Sequence, residues 1–71
     1  MTDIELLKKK IADTGMTMVA ISQKTGILRE TLYNRLNGKG EFTASEIVAL
    51  SKILHLKVDE RERIFFNEKV E

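Results

Sequence analysis

Apolar residues recur along most of this chain at helical spacing, with polar residues between them. Ile4, Leu7 and Ile11 form one stripe, and Ile47, Leu50 and Leu54 form another at i, i+3 and i+7. Ala20 and Ile21 fall where a short helix must be small and apolar, while Leu32 and Leu36 line the inner face of the next. Ile64, Phe65 and Phe66 mark a last helix. This spacing predicts helices over about residues 3–13, 18–25, 28–36, 44–54 and 60–67. No strand-like alternation, internal repeat or low-complexity segment interrupts them. The expected fold is all-α, five short helices around one core. That core is expected to contain Leu7, Ile11, Ile21, Leu32, Leu36, Phe42, Ile47, Leu50, Leu54, Val58 and Phe65.

Helix starts are marked by capping residues. Thr2-Asp3-Ile4-Glu5 and Thr43-Ala44-Ser45-Glu46 fit a capping box, in which the threonine oxygen accepts from the third helical N–H and the glutamate reaches back. Asp59-Glu60-Arg61-Glu62 resembles the same device with an aspartate cap, and Thr17 can cap the second helix alone. The third helix has no such cap, because Ile27 and Leu28 stand where Ser, Thr or Asp would serve.

Composition narrows the class. At 71 residues the chain is expected to be one small domain, residues 1–71, and a domain of this size buries only about 60% of the surface its unfolded chain exposes. With no cysteine and no proline, neither disulfides nor thiolate metal sites support it, and stability must come from helix packing, with dimerisation as a further source. No apolar run approaches the ~20 residues that span a membrane, and no signal peptide is visible. A soluble protein in the cytoplasm of a bacterial cell is the expectation, and its Met1 start suggests a complete small protein.

The net charge of +1 conceals an asymmetry. Residues 1–40 hold seven basic residues against four acidic ones, giving +3, whereas residues 41–71 hold five against seven, giving −2. The positive half contains the segment from Thr17 to Gly38, which reads as a short helix, a turn at Gly26 and a second helix. With Leu32 and Leu36 turned inward, Arg29, Glu30, Tyr33 and Asn34 face outward. A compact helical pair with donors along its outer face is what reading a DNA major groove requires.

These residues resemble the lambda-repressor-like family of five-helix DNA-binding domains, which includes small phage Cro proteins and repressors. The likeness runs over most of the chain: a first amphipathic helix, a helix-turn-helix at 17–36, Asn37-Gly38-Lys39, then two more helices. Ser22-Gln23-Lys24-Thr25-Gly26 looks like the family's helix-to-turn junction and Thr31-Leu32-Tyr33-Asn34-Arg35-Leu36 like its recognition helix. The ending, Ile64 to Glu71, looks like that of small regulators from phages of Gram-positive bacteria. The resemblance implies a transcriptional repressor that binds a double-stranded operator as a homodimer, at half-sites ~34–36 Å apart.

It places Leu28, Arg29, Glu30, Tyr33 and Asn34 at or near base edges. Thr17 and Met18 would lie close to the backbone, with Asn37–Gly40 against phosphate. Two residues depart from the pattern. Met18 stands where many relatives carry a polar phosphate-binding residue, so only its backbone N–H could serve. Leu28 replaces a polar residue, and could either touch a thymine methyl or pack inward.

Each site residue has a structural alternative. Arg29 could bond guanine O6 and N7, or it could pair with Glu30 or Asp13. Asn34 could read adenine or be an ordinary exposed side chain. Glu30 could accept from a cytosine amine, orient Arg29 or exclude wrong sequences. Tyr33 could reach phosphate or a thymine methyl, or lie partly buried against the second helix. Lys39, with free N–H groups at Gly38 and Gly40, suits a phosphate contact. Lys24, Arg35 and the Lys8–Lys10 run are weaker candidates, since such charges are most often solvated.

His55 has no partners at metal-ligand spacing and fits a helix C-terminus favoured by the macrodipole. No nucleophile–base pair stands out, so neither catalysis, cofactor, metal nor small-molecule ligand is expected. Phe66 and Val70 are candidates for a two-fold dimer contact, the alternative being that the tail folds over the first helix. The competing class is a protein-interaction module, such as an antitoxin or anti-repressor, on the same helical fold.

Overall fold

The computed structural model describes residues 1–67, and these form five helices with no strand among them. They are α1 (Ile4–Thr14), α2 (Met18–Thr25), α3 (Arg29–Leu36), α4 (Ala44–Ile53) and α5 (Val58–Phe65). α2 packs on α4 and α3, and α1 packs on α5. No helix among the described residues is long and apolar enough to cross a membrane.

Ten of the eleven expected core residues are buried, and Ile27 and Ile64 join them. Val58 does not: it is 67% exposed. Leu56, two residues earlier, packs against the core in its place, which leaves Val58 on the outer side of the first turn of α5. Phe42, in the loop before α4, meets Phe65 edge-to-face at 5.6 Å. That contact pins the loop to α5, and such aromatic pairs add about 0.5–1.5 kcal/mol beyond the area they bury.

The caps at α2 and α4 form as expected. Thr17 Oγ1 accepts from the Ala20 N–H, while Thr43 and Glu46 make the full reciprocal box. Two expected caps move. Asp3, not Thr2, caps α1 by accepting from the Leu6 N–H. Its own N–H donates to the Ile64 carbonyl at 2.6 Å, a tertiary bond that holds Asp3 extended and starts the helix one residue later. α5 begins at Val58, ahead of the expected 60, because Glu60 reaches back to accept from the Lys57 N–H. Asp59 therefore lies inside the first turn, where its charge suits the positive helix end. Leu28 is extended and precedes α3 with no side-chain cap.

α4 ends with His55 in the left-handed region at φ 53°. The Leu56 N–H bonds the Ser51 carbonyl and the His55 N–H that of Lys52, closing the helix by a Schellman motif in a place glycine commonly takes.

Glu60 also pairs with Lys10 of α1 at 2.5 Å. The Lys10 ammonium, then the Lys57 N–H, hold its carboxyl below the ordinary value of 4.5. A depressed carboxylate contributes stability that is complete above its unfolded value and lost as pH falls through the folded one. Thermal melts should therefore show a decline below about pH 4.5, and in Glu60→Gln that decline should be shallower. An identical pH profile in the variant would assign the acid sensitivity elsewhere.

Candidate nucleic-acid interface

α3 is positioned from within. Leu32 is fully buried and Leu36 nearly so, which fixes the rotation of the helix and turns the intervening positions outward. Gly26 sets its starting point. At φ 78° it ends α2, donating its N–H to the Ser22 carbonyl, and the chain reverses within three residues into α3. Ser22 Oγ donates to the Ile27 carbonyl and Thr25 Oγ1 accepts from the Ile27 N–H. Ile27 is thereby anchored in the core while its neighbour Leu28 is left outside, 72% exposed. This decides the open question at Leu28 against inward packing.

Arg29 and Glu30 are exposed on the first turn of α3, Tyr33 is half-exposed at 50%, and Asn34 is partly buried. Among the described residues Arg29 forms no ion pair, neither with Glu30 nor with Asp13. Its guanidinium thus remains available to an outside acceptor. Thr31, which sequence reasoning passed over, lines an open cleft of about 330 Å³ with Thr25, Gly26, Ile27, Leu28, Ser45 and Glu46. The cleft brings the first turn of α4 beside the start of α3. The Thr43 capping box was the sequence signal that a helix N-terminus stood there, but nothing in the sequence placed it against α3.

The backbone-facing candidates divide. Thr17 Oγ1 accepts in the α2 cap, which leaves its O–H as a donor, and Met18 packs its side chain against the core, so that the Thr17 hydroxyl and main-chain N–H groups at this end could meet a phosphate. Lys24 is exposed but lines a different cleft, with Thr14, Met16, Lys52, Ile53 and His55. Lys39 is exposed. The expectation of a free N–H at Gly38 is corrected: Gly38 donates to the Arg35 carbonyl and Lys39 to that of Asn34. These bonds close the end of α3 as a second Schellman motif. Gly40 alone of the pair keeps its N–H without a partner among the described residues.

Arg35 is turned into the 37–41 loop. Its Nε lies 3.6 Å from Glu46 Oε1 and its Nη1 donates to the Lys39 carbonyl at 3.4 Å. Gly40, at φ 84°, lets the loop pass directly over that guanidinium, since a Cβ there would sit 2.7 Å from Nη1. Arg35 thus ties α3, the loop and the α4 cap together.

Phe66 is 51% exposed just past α5, and Val70 lies outside the described residues. Comparison of the chain with protein-family models, curated proteins and solved structures returned no match.

Proposed function

We propose that this chain is a sequence-specific, non-enzymatic DNA-binding regulator of the Cro or repressor kind, with α2 and α3 as its helix-turn-helix. The observation that carries the proposal is the division of α3. Leu32 and Leu36 are buried, while Leu28 at its N-cap, Arg29, Glu30 and Tyr33 stand exposed, with Arg29 unpaired among the described residues. In this reading α3 enters the major groove, Arg29 reads guanine, Leu28 meets a thymine methyl, and Asn34 and Tyr33 reach the flanking base or backbone positions. Lys39 and the Gly40 N–H contact phosphate, and the protein acts by occluding its operator.

Titrating the protein against the DNA flanking its own gene, with random duplex as control, tests this. Arg29→Ala should relax selectivity at one base pair, worth about 1–3 kcal/mol, while non-specific affinity changes less. If specific and non-specific affinities fall equally, Arg29 reads no base.

One observation favours a second reading. Leu28 and Tyr33 place exposed apolar surface on the same side as Arg29, a combination that also suits docking on another protein, as in an antitoxin or anti-repressor.

A further inference from the structure

Two open clefts adjoin at the C-terminal end of α4, and Lys52 and His55 line both. The first, about 440 Å³, adds Lys24 of α2 with Met16 and Ile53. The second, about 300 Å³, adds Arg61 of α5 with Val48, Ser51 and Leu56. No acidic residue lines either cleft, and among the described residues Lys24, Lys52 and Arg61 form no ion pair. The charge balance along the chain hides this concentration, since Lys52, His55 and Arg61 belong to the half that sums to −2.

Two residues of the second cleft stand in states that the fold alone does not reward. Ser51 is 8% exposed, and its hydroxyl has no hydrogen-bond partner among the described residues. A buried donor left without an acceptor is destabilising. His55 holds the left-handed conformation at φ 53°, which glycine adopts without the penalty a Cβ brings.

We propose that these clefts dock an acidic segment of a partner protein, its carboxylates seated on Lys24, Lys52 and Arg61 and its apolar side chains between them. A carboxylate in the second cleft supplies the acceptor that Ser51 lacks and takes a further N–H from the His55 ring. The Ser51 hydroxyl is shut off from water, so the carboxylate reaches it by displacing the side chains above it. The linings favour protein over nucleic acid. Val48 is exposed and Met16, Ile53 and Leu56 are partly so, which sets apolar surface among the cations as in a protein interface. A phosphate backbone leaves that surface uncovered. No residue of α3 or of the 37–41 loop lines either cleft, so the docking stands whether or not the nucleic-acid reading does.

The test is an NMR titration of the isotope-labelled full chain with a synthetic peptide of repeated Glu-Leu-Glu units, a Lys-Leu-Lys peptide serving as control. The acidic peptide should bind saturably and move the amide resonances of Lys24, Lys52, His55 and Arg61, while the control does not. Lys52→Glu and Arg61→Glu should each weaken binding at least about fivefold, with an unchanged helical circular dichroism signal. Ser51→Ala and His55→Gly separate docking from folding. Each should keep or raise the melting temperature, because one deletes the unpartnered hydroxyl and the other relieves the left-handed backbone. Both should nevertheless weaken the peptide, Ser51→Ala by about tenfold. Absence of saturable binding overturns the proposal, as do resonance shifts centred on α3 or an affinity indifferent to all four variants. Random duplex that displaces the peptide, and is itself bound less tightly by Lys52→Glu, overturns it in favour of nucleic acid. Each of these outcomes leaves the operator titration to be read separately.

Discussion

Leu32→Ala is expected to remove about half of the chain's folding stability. Leu32 is fully buried on the inner face of α3, and truncating such a leucine removes about 2–5 kcal/mol through lost transfer energy and the cavity left behind. A domain of this length has a total stability of roughly 4–10 kcal/mol, with no disulfide to hold it. Urea titration followed by circular dichroism measures the loss directly. Val58→Ala is the companion. Although Val58 carries the apolar character of a core residue, it is mostly exposed, so its truncation should cost less than about 0.5 kcal/mol. A large loss at Val58 with a small one at Leu32 would mean that the core is arranged differently from the one described.

The second large effect concerns salt. If the chain binds DNA through about four to six phosphates, raising salt from ~50 to ~200 mM should weaken binding about 10²- to 10³-fold, because each neutralised phosphate releases condensed counterions. Lys39→Ala should flatten that slope by about one phosphate and weaken operator and random duplex alike. Arg35→Ala should behave otherwise. Its guanidinium pairs with Glu46 and bonds the Lys39 carbonyl, so its removal should register first as lost thermal stability. An affinity for the partner that barely changes across this salt range would favour an apolar protein interface at Leu28 and Tyr33 over DNA.

Much of this arrangement was legible in the residues. Three of the helices, α1, α3 and α4, follow from the spacing of Leu7 and Ile11, of Leu32 and Leu36, and of Ile47, Leu50 and Leu54, because a period near 3.6 leaves one face to bury. Thr17 and the Thr43–Glu46 pair announce their helices because capping is a local reaction between a side chain and N–H groups two or three residues ahead. The outward position of Glu30 followed from the inward position of Leu32, whereas Arg29, in register with Leu32 and Leu36, is exposed because it opens the helix at its very first position.

Several misplacements trace to a partner distant in sequence, although the α5 start and the Gly38 N–H were decided by bonds only three residues long. Thr2 lost the α1 cap to Asp3 through a bond to Ile64. Val58 lost its core place to Leu56. Ile27 and Leu28 are adjacent and equally apolar, and no periodicity could say which would be buried, since that depends on where α2 delivers the chain after Gly26. Arg35 looks like any exposed cation until the 37–41 loop closes over it. Local patterning therefore determined the helices, two of the four expected caps and the buried side of α3. Packing between helices decided which of two like neighbours faces water, which cation is free, and that Lys24 and Lys52 line one cleft, because each depends on contacts between residues that periodicity does not relate.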